Sequence, residues 1–321
     1  MSAVPRADRA AGALLGVHAG DALGATVEFS SRETIRERYP DGLTEIVGGG
    51  PFAWPAGHAT DDTDLTRAVL LAYLDPGDDV VAAAAAGMLD WLDGRWPGRE
   101  EGQPPKDVGG ATAAGLERYR SSGDPRAAGA GAGRAGNGSL MRCIPTALAV
   151  RDRRQRIQES SEISAITHDD ERCTTACAAY NEVAAALLDG APADTAVDAG
   201  EATAAELGPA TVVDAIRTGR EVDLGVMART GRPRLPDAGG GYVLDSLTLA
   251  VAAVLDQRSL RDVLVDVVRV GNDTDTNAAI AGGLLGARDG VAALPEQWVA
   301  VLQFGDEFRA AARELARDPS L

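Results

Sequence analysis

The sequence predicts an all-α protein, and three observations support this fold class. Aromatic residues, which favour β-strands, make up only 4% of the 321 residues. Alanine, the strongest helix former, occurs in runs such as residues 82–86. Apolar residues also recur at positions i, i+3, i+4 and i+7, the spacing of a buried helix face, as in the stretch from residue 65 to residue 72.

Helical periodicity and capping signals define the elements in chain order. The first helix carries Gly16, Gly20 and Gly24 at four-residue spacing, which would flatten one face and permit close packing against another helix. A later helix has a start signal, because Ser259 followed by Asp262 resembles a capping box. The pattern predicts helices near residues 8–24, 65–72, 78–92, 108–120, 139–150, 157–165, 171–189, 194–206, 209–218, 242–256, 260–267, 274–287 and 296–316.

Clusters of Gly and Pro predict loops between these helices, at residues 48–57, 94–105, 123–138 and 231–241. These long loops could form a mouth over a helical body. None has the composition of an interdomain linker, although the length of the chain also allows two domains. We expect one domain, residues 1–321, because two distant acid-rich segments must serve one site.

The two acid-rich segments lie more than two hundred residues apart and read Thr60-Asp61-Asp62-Thr63-Asp64 and Asp273-Thr274-Asp275-Thr276. If the fold brings them together, each pair of carboxylates about 4 Å apart repels by roughly 4 kcal/mol at an effective dielectric constant near 20. Divalent cations would remove this penalty. Ligands that are all carboxylate or hydroxyl oxygens favour Mg²⁺, Mn²⁺ or Ca²⁺ over zinc, so the pattern predicts a shared metal site.

Two other interpretations exist for these acids. An EF-hand loop needs Gly at position six and Glu at position twelve, whereas counting from Asp273 gives Ala278 and Leu284. That interpretation therefore fails. Alternatively, Asp61 and Asp273 only cap helices, since acids are favoured at helix N-termini. Capping needs a single acid, however, and each segment holds several.

The charge balance argues against polyanionic partners. Lys and Arg number 31 against 48 Asp and Glu, which gives a net charge of −17 and an isoelectric point near 4.6. We therefore expect no stable nucleic-acid binding and no membrane binding, and any anionic ligand must be held locally. No apolar stretch reaches about 18 residues, so no membrane span is predicted.

Cysteine usage and the N-terminal sequence indicate a cytoplasmic protein. Three cysteines in a chain of this length suggest no disulfide framework. Arg6 and Arg9 before an alanine-rich stretch imitate a signal peptide. His18 and Asp21 interrupt the apolar run, however, so we expect no secretion signal.

The glycine-rich stretch around residue 136 allows several interpretations. Residues 131–136 match GxGxxG, yet no strand-like run precedes them, which argues against a dinucleotide-binding fold. The turn at residues 136–139 could present backbone N–H groups to a phosphate, or it could be a flexible surface loop. His168 lies between two helical stretches and would on its own be a solvated linker histidine.

Seven motifs follow one another along the chain: Gly20-Asp21-Ala22-Leu23-Gly24 with Glu28; Thr60-Asp61-Asp62-Thr63; Asp107-Val108-Gly109 ahead of Ala111-Thr112; Gly136-Asn137-Gly138-Ser139-Leu140-Met141-Arg142; Thr167-His168; Gly241-Tyr242-Val243-Leu244-Asp245-Ser246-Leu247; and Gly271-Asn272-Asp273-Thr274-Asp275-Thr276. In this order they resemble the ADP-ribosylglycohydrolase family, which includes the bacterial dinitrogenase-reductase-activating enzymes. The resemblance spans about residues 10–290. The two acidic motifs are its most specific part.

This resemblance implies a compact all-α domain that binds two divalent cations, Mg²⁺ or Mn²⁺, and hydrolytically removes ADP-ribose from a modified protein or small-molecule acceptor. The implied metal ligands are Thr60, Asp61, Asp62, Asp273, Asp275 and Thr276. The implied catalytic residues are Glu28, Asp62 and Asp107. The implied substrate-binding residues are Gly136, Asn137, Gly138, Ser139, Met141, His168 and Tyr242, the last on the adenine side.

The sequence does not identify the acceptor group or the exact reaction. Residues 94–106 and 189–234 match no motif, so the acceptor could be arginine, serine, a nucleic-acid base or a small molecule. Asn272 departs from the Gly that many relatives have. One alternative keeps the metals but hydrolyses another nucleotide or a phosphoester. Another is a catalytically silent ADP-ribose-binding protein, which would not need so many acids near an anionic ligand.

Overall fold

The computed structural model describes residues 4–237 and 240–316. Within these residues, sixteen α-helices and three short 3-10 helices are joined by loops, and β pairing is limited to isolated bridges. The all-α prediction is confirmed. The α-helices are α1 (Arg6–Gly24), α2 (Arg32–Arg38), α3 (Asp61–Leu74), α4 (Val80–Leu92), α5 (Gly110–Ser122), α6 (Pro145–Ala149), α7 (Arg153–Ala165), α8 (Glu171–Leu188), α9 (Ala193–Leu207), α10 (Ala210–Glu221), α11 (Leu224–Thr230), α12 (Val243–Leu255), α13 (Leu260–Val270), α14 (Thr274–Asp289), α15 (Glu296–Val299) and α16 (Gly305–Leu315). The 3-10 helices are Pro125–Ala127, Leu140–Arg142 and Val291–Ala293.

Helices α1 and α14 form the centre of the molecule and pack antiparallel, main chain against main chain. A Cβ atom on Gly16 would lie 2.1 Å from the carbonyl oxygen of Gly282, and one on Gly20 would lie 2.0 Å from that of Ala278. The predicted close packing of this glycine face is therefore confirmed. The pairing brings the C-terminal end of α1 beside the N-terminal end of α14.

Further helices cover this central pair. Most residues of α8 and nearly all of α12 are buried, as expected of helices that are surrounded by others. The Tyr180 hydroxyl on α8 donates to the carbonyl oxygen of Ile280 on α14, at 2.8 Å. At the start of α13, the Ser259 hydroxyl accepts from the backbone N–H of Asp262 at 3.2 Å, as predicted. None of the described helices is long and apolar enough to cross a lipid bilayer.

Several predicted helix boundaries were wrong. The helix expected near residues 139–150 is a 3-10 turn followed by α6, because Pro145 has no N–H to continue a helical ladder. The helix expected near residues 296–316 is divided into α15 and α16. The seven-residue helices α2 and α11 were not predicted, since two turns are too short for a periodic signal. Residues 238 and 239 of the loop predicted at 231–241 lie outside the described residues.

Candidate active site

Three buried carboxylates meet where α1, α3 and α14 converge. Asp21 lies near the end of α1, and Asp62 and Asp275 lie in the first turns of α3 and α14. One carboxylate oxygen from each residue lies within 4.8 Å of the other two. The fold therefore joins the two acid-rich segments and adds a third acid from α1.

Asp21 accepts hydrogen bonds from the N-terminus of α3. Its Oδ2 atom accepts from the backbone N–H groups of Thr60 at 3.1 Å and Thr63 at 3.2 Å. The hydroxyls of Thr60 and Thr63 also donate to this carboxylate. Asp21 was not among the predicted site residues, because a sequence cannot reveal that a carboxylate on one helix caps another.

The remaining contacts of Asp62 favour a bound cation. Its Oδ2 atom accepts from the Thr276 hydroxyl at 3.5 Å and lies 3.1 Å from the Thr60 hydroxyl, whose single proton points to the closer Asp21 at 2.8 Å. Its Oδ1 atom is buried and has no hydrogen-bond partner among the described residues. A buried carboxylate oxygen without a partner is costly, and a divalent cation is a suitable partner for a site made of carboxylates and hydroxyls. The residues that line the site therefore fit a hard metal ion.

The capping interpretation accounts poorly for Asp61 and Asp273. The N-cap of α3 is Thr60, and Asp61 follows it and is partly exposed to a cleft. Asp273 occupies the N-cap position of α14 but makes no side-chain capping hydrogen bond. Its Oδ2 atom instead accepts from the side-chain amide of Asn137 at 2.7 Å. Both acids thus lie at the site without performing the capping role.

Burial and mutual repulsion raise the pKa values of these acids. Burial, followed by the neighbouring acids, raises the pKa of Asp62 and of Asp275 well above the ordinary value. Burial raises the pKa of Glu28 to about 8, with further contributions from Asp107 and Asp273. The protein without cations would therefore hold extra protons at this site, which cations would displace.

A cleft of about 420 Å³ opens over the carboxylates. Many of the predicted site residues line it: Glu28, Asp61, Asp107, Asn137, Gly138, Met141, His168, Asp273, Asp275 and Thr276. The other predicted residues do not line it: Thr60, Asp62, Gly136, Ser139 and Tyr242. The cleft therefore joins the acidic centre to the glycine-rich turn.

His168 is buried against this turn, so the interpretation of a solvated linker histidine was wrong. A Cβ atom on Gly138 would lie 2.9 Å from the imidazole ring, which explains the glycine there. Arg142 donates to the Gly138 carbonyl oxygen and to the Thr167 hydroxyl, each at 2.6 Å. Because that hydroxyl accepts from Arg142, we assign its own proton to Nδ1 of His168, 2.7 Å away. Burial lowers the pKa of His168 to about 3, so the ring is neutral and carries its proton on Nε2.

Three predicted substrate residues lie behind or beside the cleft wall. The Ser139 hydroxyl is buried and accepts from the Ser164 hydroxyl at 2.9 Å. Gly136 pairs with Tyr242 in an isolated antiparallel bridge. The Tyr242 ring lies 5.7 Å from the guanidinium of Arg172. These contacts shape the turn, and a direct substrate contact of Ser139 stays a prediction.

Asp107 lies on the irregular segment between α4 and α5 and lines the same cleft as the glycine-rich turn. Burial raises its pKa. Trp96 anchors this segment, since its indole N–H donates to Oδ1 of Asp64 at 2.8 Å. Trp91 donates to Oδ2 of the same carboxylate at 2.9 Å. Asp64 belongs to the first acid-rich segment, but its hydrogen bonds hold the loop that carries Asp107 in place.

A family model described as ADP-ribosylglycohydrolase matches residues 2–320. The chain belongs to the ADP-ribosylglycohydrolase family. It is therefore an enzyme, a hydrolase that cleaves the glycosidic bond of ADP-ribosyl groups, as the sequence motifs indicated.

Individual members of the ADP-ribosylglycohydrolase family match along most of their length. The ADP-ribosylarginine hydrolase Tri1 of Pseudomonas putida (strain GB-1) is 31% identical over 316 residues, which cover 96% of this chain and 78% of that protein. The ADP-ribosyl-[dinitrogen reductase] glycohydrolase of Rhodospirillum rubrum is 30% identical and covers 92% of this chain and 90% of its own. A solved structure titled ADP-ribosylglycohydrolase-related protein complex superposes with a TM-score of 0.79 at 30% identity, over 97% of this chain and 98% of that chain.

Proposed function

We propose that this ADP-ribosylglycohydrolase releases ADP-ribose from arginine side chains of modified proteins and uses two Mg²⁺ or Mn²⁺ ions. The arginine acceptor is suggested by the name of the Pseudomonas putida relative, an ADP-ribosylarginine hydrolase. The observation that supports the metal-dependent reaction most is the meeting of Asp21, Asp62 and Asp275 at the base of the cleft. We also propose that residues 1–321 form one domain, since the family model covers residues 2–320.

The proposed metal ligands are the acids and hydroxyls that converge at this point: Thr60, Asp61, Asp62, Asp273, Asp275 and Thr276. The unpartnered Oδ1 atom of Asp62 supports this assignment. Bound divalent cations would orient the ribose hydroxyls and lower the pKa of a water molecule. Asp21 holds the α3 backbone that carries Asp61 and Asp62, and we propose for it a supporting role.

The glycine-rich turn is proposed to hold the ribose and the diphosphate. Gly136, Asn137 and Gly138 lie against the neutral imidazole of His168, whose Nε2–H can donate to an anionic oxygen. This proposal suits a chain of net charge −17, because neutral N–H groups rather than surface cations would bind the diphosphate. Met141 would line the pocket, and the Tyr242 ring would contact the adenine.

Glu28 is proposed to move the proton during glycosidic cleavage. The reaction needs activation of a water molecule and protonation of the leaving group. Glu28 lines the cleft, and its Oε2 atom has no hydrogen-bond partner among the described residues. Its raised pKa is compatible with exchange of a proton near neutral pH. Asp107, which reaches the same cleft, is the alternative.

Product analysis tests this function directly. Proteins ADP-ribosylated on arginine or on serine, and ADP-ribosylated nucleic acid, would be incubated with the enzyme in Mg²⁺, Mn²⁺ or EDTA, and the products separated by chromatography. We expect free ADP-ribose from the arginine substrate only when a divalent cation is present. Asp62→Asn should lower release at least about a hundredfold, because loss of a residue that merely orients a metal ligand already costs about 10- to 100-fold. The exposed control Asp41→Asn should keep full activity. Release of AMP or phosphate would instead support hydrolysis of a phosphoester.

A further inference from the structure

A second cavity, of about 350 Å³, shares a wall with the catalytic cleft. The wall consists of residues 28–31 and 270–273 in antiparallel contact. The backbone N–H of Phe29 donates to the Asn272 carbonyl oxygen, and that of Asn272 donates to the Ser30 carbonyl oxygen, both at 2.8 Å. Asn272 lines both cavities. The second cavity therefore begins one residue from Asp273.

This second cavity, lined by Arg32, Arg232 and Arg234, is hereafter the arginine cavity. Arg32 is engaged in the structure, because it donates to the Arg229 carbonyl oxygen at 2.9 Å and pairs with Glu33. Arg232 and Arg234 are exposed, and neither guanidinium makes a hydrogen bond or ion pair within residues 4–237 and 240–316. Two free guanidinium groups thus stand beside the acidic centre of a chain with net charge −17.

The chemistry of the arginine cavity suits a carboxylate. A guanidinium presents its N–H donors as a fork that matches the two oxygens of a carboxylate. The Debye length is about 8 Å at physiological ionic strength, so a bound group senses these arginines more than the distant acidic surface. A long polyanion would still meet the negative charge beyond the cavity, which favours a short acidic segment over nucleic acid.

The position of the arginine cavity connects it with the acceptor. An acceptor chain that reached Glu28 along this wall would pass Phe29, which lines the cleft and is 64% exposed. The side of the wall opposite the cleft is the arginine cavity. Residues a few positions from the modified side chain would reach it without crossing the rest of the molecule.

We propose that the arginine cavity binds an acidic side chain of the acceptor protein, close in sequence to the ADP-ribosylated residue. This inference rests on the proposed release of ADP-ribose from protein arginines. The cavity would select among modified proteins, while the cleft would perform the chemistry. It would act through substrate binding, and so mainly through KM.

Matched substrates test this selection. Two peptides would each carry one ADP-ribosylarginine, flanked in one peptide by Glu residues and in the other by Gln residues, and ADP-ribosylated free arginine would serve as a substrate without flanks. If Arg232 and Arg234 each form an exposed ion pair with a Glu side chain, we expect kcat/KM to be about fivefold to tenfold higher for the Glu peptide than for the Gln peptide. The preference should lie in KM and vanish near 1 M NaCl, where the Debye length is about 3 Å.

A double variant, Arg232→Gln with Arg234→Gln, should lose this preference and still hydrolyse ADP-ribosylated free arginine at the wild-type rate. The matched control, Arg154→Gln with Arg313→Gln, changes the net charge equally at exposed residues outside the arginine cavity and should keep the preference. Wild-type enzyme that does not distinguish the two peptides, or a double variant that still does, would overturn the inference.

Binding assays separate this inference from the proposed function. The fluorescence anisotropy of both labelled peptides would be measured with the Asp62→Asn variant, so that turnover is not needed. We expect the Glu peptide to bind more strongly, and this difference to be lost when Arg232→Gln and Arg234→Gln are added. That result supports carboxylate binding in the arginine cavity even if the wild-type enzyme fails to hydrolyse ADP-ribosylarginine. The proposed carboxylate site is contradicted if the two peptides bind equally well. It is also contradicted if an oligonucleotide displaces the Glu peptide at a lower concentration than a Glu-rich competitor peptide does.

Discussion

At the scale of single residues, Asp64 shows how one carboxylate couples the acidic motif to the segment that carries Asp107. Both of its oxygens accept an indole N–H, one from α4 and one from the segment that leads to Asp107. Burial raises the pKa of Asp64 to about 7, while the two indole hydrogen bonds oppose this rise. The carboxylate depends on these donors, since it has little access to water.

The loss of one donor should therefore be costly. Trp96→Phe keeps a large aromatic ring but leaves Oδ1 of Asp64 without its partner. We expect the free energy of unfolding to fall by about 1–3 kcal/mol, as measured by urea denaturation. The matched control is Trp54→Phe, because the buried indole N–H of Trp54 has no hydrogen-bond partner among the described residues. Equal losses in the two variants would contradict this role of Asp64.

Which single residues form the site could be predicted only in part. Asp62 and Asp275 stand out because carboxylates are concentrated around them. Asp21, Arg142 and Asp64 also lie in the motifs or acid-rich segments, but the sequence did not reveal their roles, because these depend on hydrogen bonds to residues distant in the chain. Burial of this kind is a property of the tertiary structure and leaves no local pattern.

At the scale of elements, the antiparallel contact of α1 and α14 determines where the acids meet. Gly16→Ala would direct a Cβ atom at the carbonyl oxygen of Gly282, 2.1 Å away. Because backbone lies on both sides, the helices must separate, and we expect a loss of about 3 kcal/mol in the free energy of unfolding. The separation should also weaken divalent-cation binding, since Asp21 and Asp275 lie on these helices.

A glycine in another helix provides the control for this substitution. At Gly87 in α4, the nearest atom to an added Cβ is the Cβ of Ala68, at an ordinary 3.6 Å. Gly87→Ala should therefore stabilise the protein by about 0.5–1 kcal/mol, because alanine is the better helix former. Urea denaturation of both variants, with calorimetry of Mn²⁺ binding, measures the contrast. A Gly16→Ala protein as stable as Gly87→Ala would refute the packing argument.

The elements also differ in how far the sequence defines them. α13 was predictable, because four apolar residues fall on one face and Ser259 caps it. α2 and α11 were not, since each has only seven residues and its stability depends on the helices around it. The division between α15 and α16 was missed because the apolar pattern continues through the irregular residues 300–304.

At the scale of the whole molecule, the buried acids make stability depend on pH and on cations together. In the folded state without cations, the pKa of Glu28 is about 8 and that of Asp21 about 6, mainly because of burial. Both ordinarily lie near about 4. At these carboxylates the folded protein therefore holds more protons than the unfolded chain between about pH 4 and pH 8. The buried His18 and His168, whose pKa values burial lowers to about 3, hold fewer protons than in the unfolded chain below about pH 6.5 and oppose the effect there. Above about pH 6.5 the carboxylates dominate, so stability should fall as pH rises to about 8.

Cations reverse this trend by replacing the protons at the same carboxylates. A ligand that binds only the folded state raises its stability, and ionised carboxylates bind metal more tightly than protonated ones. We expect Tm in EDTA to decrease from about pH 6.5 to pH 8, above the range in which the histidines titrate in the unfolded chain, and the increase in Tm on addition of Mg²⁺ or Mn²⁺ to be larger at pH 8. Asp62→Asn should reduce that increase, whereas Asp41→Asn should not. Scanning calorimetry at several pH values measures these Tm changes. Identical Tm values in EDTA and in Mn²⁺ at pH 8 would be incompatible with a cation site at the convergence of α1, α3 and α14.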